Sequence, residues 1–383
     1  MEEQNFKRKD LRVLLRSDAI LHNVAQLKSC CAENVKFCAV VKANAYGHGA
    51  AEVTNILKDA GVDFFAVDNV YEALRIAKAA SHIPILVLEP LHPVLDADVI
   101  AYCRGLKMHC TIASIESAKY VSSILDGTGI GDKLPVHINI DTGMSRCGIE
   151  PKSARALAEY IRSSQSMKLA GVYTHFANVN EKDLSFARAQ IERFENILSR
   201  LKDCITSETI IHTANSAATM MLPESHFDMV RCGISIYGYN AVEVSLPIKL
   251  RPVLKLQAPV IHMASISKGQ TVSYGRTYTA NRDTRIAVLP IGYSDGFWRR
   301  FFNMAKVCIG TDIAPVIGRV TMNQIVIDIT DTPDVKLGDF VTIIDDRFDS
   351  PCGVYQLAEL SDTICYEILT AVPSWLQTIV RND

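Results

Sequence analysis

A lysine directly behind a buried strand is the residue in this chain best placed to do covalent chemistry. Val35, Phe37, Ala39, Val40 and Val41 form a short apolar run, and Lys42 closes it, followed by Ala43-Asn44-Ala45-Tyr46-Gly47-His48-Gly49. Such a run suits a strand buried on both faces of a parallel sheet. Stripped of water, an amine at its end is a natural Schiff-base former; left wet, it is only a charge reaching solvent. A second constellation, His137-Ile138-Asn139-Ile140-Asp141-Thr142-Gly143-Met144-Ser145-Arg146, follows another apolar stretch. The Arg146 guanidinium suits a carboxylate, which it can grip with two parallel donors, or it pairs with Asp141 across a polar turn. His175 ends a further strand, where a lone histidine is more often a satisfied core residue than a catalyst. Tyr274, between Ser273 and Gly275, reads on residue type alone as packing.

Holding these groups together requires alternating strands and helices. Apolar runs at 35–41, 64–67, 83–89, 109–112, 134–140, 169–174, 210–212 and 230–237 are interleaved with helix-like stretches at 71–80, 97–103, 114–125, 153–161 and 186–201. Behind Lys42, Val53, Ile56, Leu57 and Ala60 recur at helical spacing, with Gly61 as a stop. Repeated β then α with short connections predicts a parallel sheet with right-handed crossovers. Eight units predict closure into a (β/α)8 TIM-like barrel, which keeps its chemistry at the carboxyl ends of its strands. A doubly wound open sheet is the rival, with no G-x-G-x-x-G fingerprint in its favour. Upstream, a strand at 11–15 precedes a helix at 20–27, with Ser17 as the expected N-cap.

The pattern changes near residue 246. Short alternating or β-branched runs at 254–261, 286–290, 307–309, 314–320, 325–329 and 340–344 predict a mainly β domain, closed by short helices at 357–360 and 368–372. The expected class is α/β, a barrel over residues 1–245 followed by a mainly β domain over 246–383. The strand at 11–15 is free to pack with the second domain.

The 383 residues are 48% hydrophobic and 21% charged, with ample core for two domains. A net charge of −2 gives no reason to expect nucleic acid or an anionic membrane as partner. The 11 cysteines form no C-x-x-C pair, and their odd count fits free thiols in a reducing cytoplasm. The expectation is a cytoplasmic protein without a membrane span or secretory signal, or the cytoplasmic part of a longer membrane protein.

Residues 40–49, VVKANAYGHG, closely resemble the pyridoxal-phosphate lysine motif of the alanine racemase family, and matching motifs continue along nearly the whole chain. The resemblance implies pyridoxal 5'-phosphate as cofactor, carried by Lys42, and no metal. It makes Lys42 one catalytic base and Tyr274 the other, donated across a homodimer interface to the partner's site. Tyr46, Asn215, Ser216, Gly233, the backbone of Ile234, and Tyr366 match the cofactor-binding residues. A hydroxyl, open backbone amides and a helix start do favour a phosphate dianion. Arg231 matches the residue facing the pyridine nitrogen, with His175 beside the ring and bonded to that arginine. An arginine does not give up its proton, so the ring stays largely unprotonated, which favours quick reprotonation at Cα over transamination. Arg146 matches the residue near the substrate carboxylate and the cofactor phenolic oxygen, and Tyr293 and Met322 match partner-subunit residues at the entrance and carboxylate site.

Two departures from the family pattern carry expectations of their own. Where the family usually has a lysine, often carbamylated, this chain has Asn139, so a bound chloride or a simple hydrogen bond is expected to orient Arg146. Where alanine racemases usually have Met-Asp, it has Met322-Asn323, which resembles serine/alanine racemases linked to vancomycin resistance, normally fused to a membrane domain. An added N–H donor suits the extra hydroxyl of serine. The implied activity is two-base racemisation of alanine and also of serine. The alternatives are a pyridoxal-phosphate decarboxylase of the same architecture, or a non-catalytic pyridoxal-phosphate-binding protein.

Overall fold

The computed structural model describes residues 8–106, 108–127, 132–240 and 247–382. Strand β1 (Arg8–Arg16) comes first. It is followed by β2 (Lys36–Val40), β3 (Phe64–Val67), β4 (Ile85–Pro90), β5 (His109–Ile112), β6 (Leu134–Asn139), β7 (Met167–Tyr173), β8 (Ile210–His212) and β9 (Met229–Cys232). These last eight form one parallel sheet in the order β8-β7-β6-β5-β4-β3-β2-β9. Only the β8/β9 seam lacks a hydrogen-bonded ladder among the described residues, so the sheet is a nearly closed barrel. Helices on its outside explain why β3 is buried at all four positions. The helix Ala154–Ser163 shows how they dock: Ala154, Leu157, Ala158 and Ile161 line its one buried face.

The remaining strands are β10 (Leu254–Pro259), β11 (His262–Ile266), β12 (Thr271–Val272), β13 (Tyr278–Thr279), β14 (Thr284–Leu289), β15 (Lys306–Ile309), β16 (Asp312–Ile317), β17 (Ile325–Asp328), β18 (Phe340–Ile344) and β19 (Leu376–Arg381). Nine strands form a second sheet in the order β11-β14-β17-β16-β15-β18-β10-β1-β19, and β12 pairs with β13 alone. Strand β10 alternates strictly between covered and half-covered positions, as a sheet with one face on a core requires. Strand β1 runs antiparallel to β10 and parallel to β19, so the first described strand is part of the mainly β sheet.

Three expectations change. The helix starts at Ser17 rather than being capped by it (Ser17–Lys28), and the Ser17 hydroxyl donates instead to the Arg381 carbonyl at 3.1 Å, tying down β19. The run at 230–237 is not one strand: β9 ends at Cys232, and Gly233 turns the chain into a 3-10 helix at Ile234–Tyr237. Strands β11, β12, β13 and β19 were not expected, being short, polar or terminal. The boundary expected at 245/246 lies outside the described residues.

Candidate active site

Lys42 follows β2 at the carboxyl end of the barrel strands, and the next four residues adopt a conformation that side chains normally avoid. Ala43, Asn44, Ala45 and Tyr46 have φ of 51°, 54°, 54° and 53°, a left-handed turn. Each such residue costs about 1–2 kcal/mol, so the surroundings must impose the shape. Asn44 Oδ1 accepts from the Ala50 amide at 3.0 Å. The Ala43 amide donates to Glu72 Oε1 at 2.8 Å, while Glu72 Oε2 accepts from the Asp68 amide at 2.9 Å. His48 is fully buried, with Nδ1 within 3.0 Å of the Ala45 carbonyl and 2.9 Å of the Tyr46 carbonyl. Carbonyls only accept, so the His48 proton sits on Nδ1. Burial pulls the His48 pKa down to about 4 and keeps the ring neutral. Gly47 closes the turn at φ +83°, where a Cβ would lie 2.0 Å from the Leu369 carbonyl oxygen.

This turn presents Lys42 to a cavity of about 570 Å³. Lys42, Tyr46, Asn139, Arg146, His175, Asn215, Ser216, Arg231, Gly233, Ile234 and Tyr366 all line it. The Lys42 ammonium is held 3.1 Å from Asp68 Oδ1. On one wall, Ser216 begins the helix Ser216–Met221, and its Oγ accepts from the Gly233 amide at 2.8 Å. Asn215 Oδ1 accepts from the Ala218 amide at 3.0 Å, so that side chain caps the helix. Glycine at 233 is required by space: a Cβ there would meet Tyr46 Oη at 2.4 Å. The phenols of Tyr46 and Tyr366 are pushed up in pKa, mainly by burial, and stay neutral. Hydroxyls, backbone amides and a helix start make this wall suited to a phosphate monoester.

Another part of the lining is built around Arg231, which is 4% exposed. Its Nη1 donates to His212 Nδ1 at 2.7 Å, and its Nη2 donates to the carbonyls of Thr174 at 3.0 Å and Thr213 at 3.1 Å. His175 Nδ1 lies 3.3 Å from Nη2, and the Tyr173 ring lies 5.1 Å from the guanidinium carbon. No carboxylate bonds Arg231 among the described residues. Burial, and then the charges of Arg231, Arg146 and Lys42, bring the His175 pKa down to about 3. His175 is therefore neutral and suited to support rather than to carrying a proton.

The expected hydrogen bond from Asn139 to Arg146 is not present. Asn139 Nδ2 donates instead to the Cys147 carbonyl at 3.3 Å, because the loop folds back over the strand end. Arg146 is exposed, and among the described residues its guanidinium has no hydrogen-bond partner.

Tyr274, Tyr293, Met322 and Asn323 do not line that cavity. They share a separate depression of about 440 Å³ with Arg299 and Arg319. Tyr274 is 74% exposed, Met322 55% and Tyr293 42%. Positive φ at Ser273 (63°), Gly275 (71°) and Arg276 (50°) forces Tyr274 outward, and Ser273 Oγ anchors the loop on the Arg319 carbonyl at 2.7 Å. Asn323 Nδ2 donates to Ser294 Oγ at 2.9 Å. Sequence reasoning missed Asp68, Glu72, Tyr173 and His212. Asp68 follows β3 directly, so the strand-end rule that singled out Lys42 reaches it too.

Comparison with known proteins agrees with both halves of the chain. The N-terminal domain model of alanine racemase matches residues 15–241, and the C-terminal domain model matches residues 253–380. An alanine racemase from Nostoc sp. is 35% identical over 92% of this chain and 91% of its own length. A crystal structure of alanine racemase from Bacillus anthracis with bound L-Ala-P is 35% identical, with a TM-score of 0.89 over 98% of this chain and 96% of that one. A histidine racemase from Leuconostoc mesenteroides has a TM-score of 0.88 at 27% identity, covering 99% of this chain and 100% of that one. With a match to both domains at this identity and coverage, the chain belongs to the alanine racemase family.

Proposed function

We propose that this chain interconverts L- and D-alanine with pyridoxal 5'-phosphate, in a homodimer whose sites draw on both subunits. One observation carries the reading: an amine, a phosphate-suited cradle and a carboxylate-free guanidinium line a single cavity. The cofactor's residues would be Lys42 for its aldehyde, Tyr46, Ser216, Gly233, Ile234 and Tyr366 for its phosphate, with Asn215 capping the helix at that cradle. Arg231 would serve its ring nitrogen and His175 would lie beside the ring. When bound, the cofactor acidifies the Cα–H bond of an attached amino acid. Arg146 binds the substrate carboxylate, and Lys42 holds or removes the proton on one face of Cα. Tyr274 of the other subunit serves the opposite face, which a single base does not easily reach. The exposure of Tyr274, Tyr293 and Met322 on a strained loop system supports that assignment, since a monomer gains nothing from it. Chiral chromatography of L-alanine incubated with cofactor-loaded protein tests the reading. Formation of D-alanine is expected; unchanged L-alanine, or carbon dioxide release, contradicts it.

A second substrate follows from Asn323. Its amide keeps a second N–H after donating to Ser294, and that donor suits a serine hydroxyl. Asn139, being neutral, leaves Arg146 without a counter-charge, which supports a chloride held between them.

A further inference from the structure

Three histidines connect the far end of the barrel to Arg231. His109 begins β5, and its Nδ1 lies 2.9 Å from His137 Nε2 in β6. His137 Nδ1 lies 2.8 Å from Nε2 of His212, the last residue of β8. His212 Nδ1 accepts from Arg231 Nη1 at 2.7 Å. The link from β6 to β8 must cross β7, and the chain leaves room for it. A Cβ at Gly171 of β7 would lie 2.2 Å from His137 Nδ1, and β6 and β7 slip in register next to His137. His137 and His212 are fully buried, and the Tyr173 ring stacks on His212 at 4.8 Å and 9°.

These contacts allow one proton arrangement. Arginine only donates, so His212 Nδ1 must accept and its proton must sit on Nε2. That proton is donated to His137 Nδ1, which places the His137 proton on Nε2, and the same step repeats at His109. An extra proton on any ring's Nδ1 sets that N–H against the donor facing it, Arg231 for His212, His212 for His137 and His137 for His109. We propose that His109, His137 and His212 are positioning residues, a one-way chain of neutral rings protonated on Nε2 that fixes Arg231 in the cavity. Burial agrees, drawing the His109 pKa down to about 4 and those of His137 and His212 well below the ordinary range. A carboxylate in the same place would neutralise the guanidinium; a neutral acceptor orients it and leaves its charge facing the cavity.

The effect on turnover rests on the reading of Arg231 given above, but the tautomers do not. Nitrogen-15 spectra of the histidine-labelled holoenzyme at neutral pH read them directly. All three rings are expected as neutral Nε2–H tautomers; a cationic ring or an Nδ1–H tautomer at any of them overturns the chain. His137→Leu removes the middle link, whereas the amide of His137→Gln can accept and donate in the same sense. The leucine variant is expected to lower kcat about tenfold at little-changed KM, with the glutamine variant restoring most of it. Equal kcat in both variants contradicts a positioning role, and if expected tautomers accompany a protein without racemase activity, the functional reading fails while the chain stands.

Discussion

At the scale of single residues, the cavity divides covalent attachment, anion binding and orientation among groups that each have one suitable chemistry. Lys42→Ala is expected to abolish both turnover and the visible absorbance of the attached cofactor. Tyr274→Phe should abolish racemisation in both directions while solvent exchange of Cα–H persists for the one enantiomer whose proton Lys42 removes, and equal loss of exchange for both enantiomers would argue against that role. Gly233→Ala inserts a methyl 2.4 Å from Tyr46 Oη, so cofactor binding should weaken by about 1–3 kcal/mol, roughly fivefold to 150-fold in Kd by titration. For Asn323→Asp, kcat/KM for serine should fall while that for alanine holds; serine turnover that is negligible from the outset, or indifferent to the swap, ends that idea. Chloride beside Asn139 should appear as an anomalous-scattering peak, and a flat map there removes it.

At the scale of elements, the left-handed turn is the least expected feature. Strand β2 and the helix Ala50–Leu57 were readable from hydrophobic periodicity, which depends only on neighbours in sequence. The conformation of Ala43–Tyr46 was not, since alanine and tyrosine carry no local preference for positive φ. It is imposed by Asn44 and His48, which bond the backbone beside the turn, and by Glu72, which reaches it only when the barrel closes. Gly47→Ala should destabilise the protein by about 2 kcal/mol or more, read from the urea midpoint, because both φ and space exclude a side chain. The buried, neutral His48 adds a pH dependence whose sign is fixed. Its folded pKa of about 4 lies below the ordinary histidine value of 6.5, so unfolding takes up a proton as pH drops below about 6.5. Stability should therefore be intact above pH 6.5 and fall towards pH 4, by up to roughly 1.4 kcal/mol per pH unit from this ring. Replacing His48 with a residue that does not titrate should flatten that slope.

At the scale of the whole molecule, the eight βα units and the change to a mainly β pattern were legible because each spans a few dozen residues. The pairing of β1 with β19 joins the two ends of the described chain, and no local pattern specifies it. The histidine chain was illegible for the same reason: His109, His137 and His212 meet only when the barrel forms, across β5 and β6 and then past β7 to β8. Among the described residues no helix is long and apolar enough to cross a membrane. The two sets of site residues lie in separate depressions, and this is what makes a second subunit necessary to the proposed chemistry.

The most direct measurement uses two inactive variants, Lys42→Ala and Tyr274→Phe, co-expressed with different affinity tags so that mixed dimers can be isolated. If lysine and tyrosine meet across the interface, one of the two sites regains an intact pair, and activity should return to about half the native value per dimer. A mixed dimer as inactive as its parents would contradict a site shared between subunits.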